Sequence, residues 1–257
     1  MEPRFTRGEY WLLETVAEHE FEVCALIESD LESFLGKRGH GLTRDALVET
    51  LHRLLSSGLI YAKSEMKGSI STKEHIELAL EERVSWDTHH VFISADGDVE
   101  LAPDESKPPR IEPVDVRKIT YYGLTQEGGA QWEAFAAPDW QKYIAGGSQP
   151  DESEYEVWEL ICGDKNWRGA DKDWPEPVQN WLEEYIESMC FYSQMEVILE
   201  SVEWDYVTPW QATYWKQLDG GDRVRFRCRD KSGAENFKPI PSFPDMGYFD
   251  RLWCAWR

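Results

Sequence analysis

The amino-acid sequence predicts an α+β fold, and three patterns carry that prediction. In the N-terminal part, apolar residues recur at three- and four-residue spacing, which is typical of amphipathic helices. Further along, two β-prone runs flank an Asp-Gly pair at residues 96–97, which is typical of a hairpin. Near the C-terminus, residues 223–229 alternate strictly between arginine and apolar side chains, as in a strand with one buried face.

The N-terminal part predicts three helices and a strand. The first two helices cover residues 8–17 and about 20–35, and the glycine-rich run 36–41 after them indicates a turn. The third helix covers residues 43–58, because a threonine suits the start of a helix and a glycine suits its end. A short strand over residues 59–62 follows directly.

The middle of the chain predicts elements of both kinds. Residues 91–101 predict the hairpin, and residues 103–113 predict an exposed loop, because four of these eleven residues are prolines. The remaining predicted elements are a helix over 71–83, a strand over 118–124 and a helix over 125–136 that the Thr125 hydroxyl caps.

Two of these pieces resemble a winged helix-turn-helix domain of the PadR and MarR kind. The third helix with its Gly-Leu-Ile and strand resembles the end of the recognition helix. Residues 121–128, Tyr-Tyr-x-Leu-Thr-x-x-Gly, resemble the junction between the wing and the last helix. The resemblance covers about residues 8–62 and 117–137. It implies an elaborated winged-helix-like domain over 1–145, with a helix, a hairpin and a Pro-rich loop inserted.

The C-terminal half resembles no known family. Residues 145–150 contain two adjacent glycines and a proline, which indicates a boundary before a second, Trp-rich α+β domain over 151–257. That domain holds nine of the thirteen tryptophans. Its predicted elements are a helix over 181–199 and a strand over 224–228. Residues 151–205 carry sixteen acids against three bases, whereas 206–257 carry six against nine.

The chain of 257 residues has a formal net charge of −22. Non-specific nucleic-acid binding depends on Lys and Arg side chains that displace counterions from phosphates. The charge therefore disfavours a nucleic-acid partner and favours a basic protein partner. An ordinary solvated surface is the other explanation of the acidity, and it requires no partner.

Several features indicate a cytoplasmic protein without membrane contact. No apolar run approaches the roughly 20 residues that span a bilayer, and the N-terminus does not have a signal-peptide pattern. Five cysteines without a CxxC pair are typical of reduced thiols. We expect no disulfide framework and no zinc ribbon.

The winged-helix resemblance also implies where DNA would bind. Its third helix would enter the major groove, so base contacts would come from Arg44, His52 and Arg53, and phosphate contacts from Lys37 and Arg38. Asp45 and Glu49 lie on the same helix and bring its charge close to zero. A contiguous positive patch of these bases would favour DNA binding, and internal salt bridges would count against it.

Four arginines on one strand form a second candidate site. Alternation places Arg223, Arg225, Arg227 and Arg229 on one face, where guanidinium groups suit carboxylates or phosphates of an anionic partner. The alternative is internal pairing with the acids of residues 151–205, which requires no ligand.

An aromatic cluster precedes that strand. Exposed tryptophans stack on sugars and peptides, but most tryptophans belong to a core, and we expect a core here. The cluster consists of Trp204, Tyr206, Trp210, Tyr214 and Trp215.

Evidence for enzymatic chemistry is sparse. None of the common nucleotide-binding, hydrolase or metalloprotease motifs is present. His89 and His90 are adjacent on a predicted strand, so they point to opposite faces and make a poor metal chelate. Cys228, between two arginines, is a weak candidate for a reactive thiol. We expect no cofactor and no catalytic residue.

These observations favour a non-enzymatic protein-interaction protein with a basic partner. One concrete form is an inhibitor or immunity-type protein that neutralises a basic toxin or nuclease. The alternative is a winged-helix transcriptional regulator that binds DNA. A third hypothesis, an enzyme of unrecognised type, would require a concave pocket with convergent polar groups.

Overall fold

A computed structural model gives an α+β fold, as the sequence predicts. The chain divides into two compact units, unit 1 over Met1–Phe135 and unit 2 over Ala136–Ala255. No helix among the described residues is long and apolar enough to cross a membrane. The structure describes residues 5–29, 31–35, 37–85, 91–93, 99–101, 114–150, 155–162, 186, 195–230 and 248.

Unit 1 combines five helices with two small sheets among its described residues. The helices are α1 (Arg7–Thr15), α2 (Leu31–Leu35), α3 (Arg44–Ser56), α4 (Lys73–Leu80) and α5 (Gln126–Ala136). The strands are β1 (Phe21–Glu22), β2 (Ile60–Ser64), β3 (Gly68–Ser69), β4 (Val91–Ile93), β5 (Val99–Leu101) and β6 (Tyr121–Leu124).

The larger sheet of unit 1 has the order β1-β6-β2-β3, with every pair antiparallel. Strand β6 therefore lies between β1 and β2, and Ile60 is opposite Leu124. The largest fully buried side chains of the core are Trp11, Trp132, Tyr10 and Tyr122. Apolar burial of this kind is the main stabilising contribution to such a unit.

Threonine side chains cap three helices, and those at Thr43 and Thr125 confirm the predicted caps. The Thr43 hydroxyl accepts the amide of Ala46, and the Thr72 hydroxyl accepts the amide of His75. In the same way, the Thr125 hydroxyl accepts the Gly128 amide at 3.0 Å. Gly58, predicted to end α3, has a φ of +73°, which favours glycine.

The predicted helix over residues 20–35 is wrong in its first part. Residues Phe21–Glu22 form β1, a 3-10 turn follows over Cys24–Ile27, and only Leu31–Leu35 is α-helical. The reason is tertiary: Phe21 pairs with Tyr122, and the Val23 amide donates to the Thr120 carbonyl at 2.9 Å. Helical spacing of apolar residues is a weak signal against such pairing.

The other middle elements agree with the sequence to within a few residues. β4 and β5 form the predicted hairpin, with Val91 opposite Leu101. The strand predicted over 118–124 is shorter, because Val116–Lys118 is a 3-10 turn and β6 begins at Tyr121. The Pro-rich loop over 103–113 lies outside the described residues.

Unit 2 is mostly β-structure in its described part. A four-stranded antiparallel sheet has the order β7-β8-β12-β9, and β10 pairs with β11 in a hairpin. A 3-10 turn over Trp140–Lys142 precedes the sheet. The strands are β7 (Ile144–Pro150), β8 (Glu156–Cys162), β9 (Met195–Val207), β10 (Trp210–Gln211), β11 (Gln217–Leu218) and β12 (Gly221–Asp230).

Two segments of unit 2 form strands where the sequence predicts other structure. Residues 145–150, expected to form a boundary, belong to β7, and a Cβ on Gly146 would lie 2.7 Å from Leu160 Cδ2, so this glycine permits close strand packing. The helix predicted over 181–199 lies mostly outside the described residues: Ile186 is helical, as predicted, but the last five residues belong to β9. There Met195 and Val197 pack on the sheet core, which follows strand alternation.

Candidate functional site

Lys37, expected to contact phosphates, is buried instead. Its ammonium lies 3.4 Å from the Glu14 carboxylate and donates to the Thr15 hydroxyl at 2.7 Å. It also lies 4.4 Å from the centre of the Trp11 ring. Since only 6% of the Lys37 side chain is exposed, this charge belongs to the interior of unit 1 and does not reach a partner.

The loop that carries Arg38 is fixed by backbone and ring contacts. Trp11 Nε1 donates to the Arg38 carbonyl at 2.7 Å, and the His40 ring packs edge-on against Trp11. His40 Nδ1 accepts the Leu42 amide at 3.0 Å, so its Nε2 carries the proton that reaches the Leu26 carbonyl at 2.9 Å. The Arg38 side chain itself is exposed.

Both arginines of α3 form ion pairs with neighbouring helices. Arg44 donates to Glu81 at 3.2 Å, at the end of α4, and Arg53 donates to Glu9 at 2.9 Å, in α1. His52, between them in sequence, is half-buried. The contiguous positive patch on which the DNA alternative depends is therefore interrupted by carboxylates among the described residues.

Helix α4, part of the insertion, packs directly on α3 and on the 3-10 turn Cys24–Ile27. Its apolar side, Ile76, Ala79 and Leu80, is buried. At the start of the helix, Lys73 pairs with Glu49 of α3. Glu82 follows α4 and accepts both the amide and the hydroxyl of Thr120, at 2.6 and 2.9 Å, which anchors the insertion to the sheet.

The charged surface formed by α1, α3 and α4 is slightly acidic. Three ion pairs join α3 to its neighbours: Arg44 with Glu81, Arg53 with Glu9, and Lys73 with Glu49. The other exposed charges of these helices are one base and three acids, Arg7, Asp45, Glu74 and Glu77, which leaves two net negative charges. The hydrogen bond from Lys73 lowers the pKa of Glu49. Burial raises the pKa of Glu9, but bonds from Thr6 and Arg53 outweigh this effect and keep it below its ordinary value.

The arginine row of β12 has the predicted alternation. Val224, Phe226 and Cys228 are buried in the core, and the arginines lie on the opposite face. Three of the four arginines pair with acids of the adjacent strands. The pairs are Arg223 with Asp205, Arg225 with Glu159 at 2.5 Å, and Arg229 with Glu196 at 2.9 Å. Arg227 on the same face is exposed. Internal pairing, the alternative that the sequence left open, therefore holds for these three.

A groove of about 630 Å³ lies on that face of unit 2. Its volume is within the range of small-molecule sites. Gly147, Val157, Ile161 and Trp210 contribute to its walls, and its two charged groups, Arg225 and Glu159, bond to each other. A catalytic pocket requires polar groups that converge on a substrate, and here the two charged groups pair with each other.

The candidate catalytic groups gain no support from the described residues. No cluster of three or more metal-ligating side chains occurs among them, and His89 and His90 lie outside them. Cys228, the weak thiol candidate, is 0% exposed and packs in the sheet core, so this prediction is wrong. Burial also raises the pKa of the Cys24 thiol to about 12, together with the nearby Glu22 and Glu82 carboxylates.

The aromatic cluster belongs largely to the interior of unit 2, as expected. Trp210 and Trp215 are 3% and 4% exposed. Tyr143 stacks on Trp210, and Trp140 packs edge-on against Trp215. Tyr206 is more exposed, at 38%. A stacking platform would present several open ring faces, whereas these rings mostly pack on each other.

The sequence did not indicate the two α4 residues that pair with α3, Lys73 and Glu81. The α3–α4 contacts through Lys73 and Glu81 join residues 24 and 37 positions apart, and local pattern does not indicate such pairs. Comparison with known proteins adds no relatives: no family model, no curated protein and no solved structure matches the chain.

Proposed function

We propose that the chain is a non-enzymatic protein-interaction protein with a basic polypeptide as its partner. Unit 1 would be an elaborated winged helix that binds protein instead of DNA. The observation that carries the proposal is the pairing of α3 with α4 through Arg44–Glu81 and Glu49–Lys73.

The sheet of unit 1 supports the winged-helix part of this proposal. The two pieces that resemble the family are about sixty residues apart in sequence. In the sheet they are adjacent, because β2, which follows α3, pairs with β6, which precedes α5. The two strands of a wing would lie in this way, and the insertion with α4, β4 and β5 lies between them in sequence.

The position of α4 argues against DNA as the ligand. A recognition helix presents its N-terminal side chains to base edges and phosphates in the major groove. Arg44 and Glu49 of α3 already bond to α4, and Glu81 would face the phosphates. Releasing them would also expose Ile76, Ala79 and Leu80, whose burial stabilises the contact.

The net charge supports a basic partner. A charge of −22 attracts a positively charged protein over long range, which accelerates association and selects partners more than it adds affinity. An inhibitor or immunity-type protein that covers the basic surface of a toxin or nuclease is one concrete form. Such a role requires no catalytic group of its own.

Affinity capture from the host lysate tests the proposal, at low and high salt and with and without nuclease. We expect a basic protein that high salt releases and nuclease does not, and that binds again when both proteins are purified. In parallel, a labelled mixed-sequence DNA duplex is titrated by fluorescence anisotropy. Duplex binding at physiological salt, or recovery that depends on nucleic acid, would overturn the proposal in favour of a DNA-binding regulator.

A further inference from the structure

Strand β9, at one edge of the described sheet of unit 2, contains an interruption. On one side of it Arg225 of β12 is opposite Glu203, and on the other side Arg227 is opposite Ile198. The single residue between these arginines, Phe226, therefore faces the four residues 199–202 of β9. Such an insertion is a bulge, which bends the strand and redirects its side chains.

The bulge is held by one side chain. The Ser201 hydroxyl accepts the Arg227 amide at 2.8 Å and donates to the Ile198 carbonyl at 2.6 Å. It thus replaces the backbone partners that the interrupted ladder would otherwise supply. Since both bonds are satisfied, the bulge has a defined geometry and is not a loose loop.

The bulge places the side chain of Leu199 in solvent. Leu199 is 77% exposed, the largest exposed fraction among the large apolar side chains of the described residues. Val202, at the other end of the bulge, packs against the sheet core. Within one bulge, the side chain of Leu199 is therefore exposed to water, whereas that of Val202 is packed in the core.

The surroundings of Leu199 are negative. Glu200 and Glu203 are exposed, and neither forms an ion pair with a residue that the structure describes. Three of the four arginines on this side of the sheet pair with other acids: Arg223 with Asp205, Arg225, which is opposite Glu203, with Glu159, and Arg229 with Glu196. With exposed Arg227, the row still carries one charge fewer than the five carboxylates around it, Glu159, Glu196, Glu200, Glu203 and Asp205. Leu199 is therefore an exposed apolar side chain beside two carboxylates that form no ion pair with the described residues.

We infer that the β9 bulge, residues 199–203, is the docking surface for a basic protein segment that places an apolar side chain on Leu199. The inference rests on the proposed function. Charged side chains and a bulge are enough to protect a sheet edge from pairing with another strand. An exposed leucine at the same place favours association, so protection of the edge does not explain it. Lys and Arg residues on either side of that apolar side chain fit the surface, because their charges reach Glu200 and Glu203.

A second copy of the chain fits this surface poorly. Pairing of two β9 edges would bring their glutamates together, and like charges opposite each other destabilise a sheet. The interruption at residues 199–202 also removes the regular row of backbone groups that an added strand requires. Complementary charge therefore selects a basic partner over self-association.

Two synthetic peptides test the surface, one with a central Phe between Lys-Arg clusters and one with Ser in place of Phe. Their affinities for the full chain are measured by fluorescence anisotropy at low salt. We expect the Phe peptide to bind about tenfold tighter, and Leu199→Ser to abolish that difference. Leu78→Ser is the matched control, because Leu78 is 63% exposed on α4 of unit 1 and also has glutamates nearby, with Glu77 before it and Glu81 three residues after it.

The charge component is tested by Glu200→Gln with Glu203→Gln, which we expect to weaken both peptides and to flatten their salt dependence. If both basic peptides bind but Leu199→Ser leaves the Phe–Ser difference intact, the docking surface is wrong while the basic-partner function stands. If neither peptide nor any basic protein binds the wild-type chain at low salt, the proposed function fails and the inference with it.

Discussion

The backbone of Gly128, in the first turn of α5, lies against the carbonyl oxygen of Leu59, the residue before β2. A Cβ at position 128 would be 1.7 Å from that oxygen. Thr125 fixes the approach, because its hydroxyl donates to the Gly58 carbonyl at 2.6 Å and accepts the Gly128 amide at 3.0 Å. Only glycine permits this contact between α5 and the start of β2.

We therefore expect Gly128→Ala to lower the free energy of unfolding by about 3 kcal/mol or more, because the added methyl meets backbone that cannot move aside cheaply. Gly147→Ala is the matched control, since a Cβ there has nothing within 4 Å. Urea unfolding followed by circular dichroism measures both. Equal stability of the two variants would show that α5 can shift without cost.

Local signals were sufficient for the helix ends and for β12. Thr43, Thr72 and Thr125 act through amides three residues away, so the sequence alone contains both partners. The alternation of Val224 and Phe226 with arginines likewise predicts a strand with one buried face, and both apolar side chains are buried. These features depend on neighbours in sequence, and for that reason they could be predicted.

Features that depend on distant partners could not be predicted. Strand β1 forms because Phe21 and Glu22 pair with residues about a hundred positions later, although the apolar residues of the segment 20–35 have helical spacing. The same holds for the candidate site: Arg44 and Arg53 look free in sequence, and only the packing of α4 and α1 on α3 neutralises them. The β9 bulge is visible only when its register against β12 is known.

The buried position of Lys37 gives a second prediction. Lys37→Met leaves the Glu14 carboxylate, 2% exposed, without the ammonium, and removing one partner of a buried pair costs about 3–5 kcal/mol. Lys73→Met, which breaks an exposed pair, should have little effect on stability. Chemical denaturation at neutral pH compares the two. A small loss for Lys37→Met would mean that Glu14 keeps adequate partners without it.

Glu9 should make the stability of unit 1 depend on pH. Its pKa is lowered in the folded protein, so its contribution is complete above the ordinary value of about 4.5 and is lost as the pH falls through the folded pKa. Glu9→Gln keeps a side chain that can cap Thr6 but has no charge. The difference in unfolding free energy between wild type and Glu9→Gln should therefore shrink as the pH falls below about 4.5.

Arg53→Gln tests the same ion pair by removing the partner of the Glu9 carboxylate. It removes the guanidinium that donates to Glu9 at 2.9 Å, so it should reduce the pH dependence that Glu9→Gln removes. Urea unfolding of the two variants across the acidic range provides the measurement. A Glu9→Gln difference that is constant with pH would contradict the lowered pKa.

Three buried cysteines should be inert in the native protein. Cys24, Cys162 and Cys228 are at most 2% exposed, and a pKa of about 12 keeps Cys24 protonated at pH 8. Alkylation with iodoacetamide followed by mass spectrometry assigns reaction by residue. We expect all three to react only after unfolding in guanidinium. Rapid native modification of Cys228 would restore it as a reactive thiol.

The Ser201 hydroxyl should determine the stability of the β9 bulge. Ser201→Ala removes the acceptor of the Arg227 amide, and because this bond is exposed, we expect a loss of about 0.5–1.5 kcal/mol, the net contribution of a typical hydrogen bond. Ser201→Thr keeps an oxygen in place and should retain most of the stability. Hydrogen exchange of the Arg227 amide tests this contact directly, and the serine-to-alanine change should accelerate it. Unchanged exchange would mean that another group accepts this amide, and the bulge that presents Leu199 would not depend on Ser201.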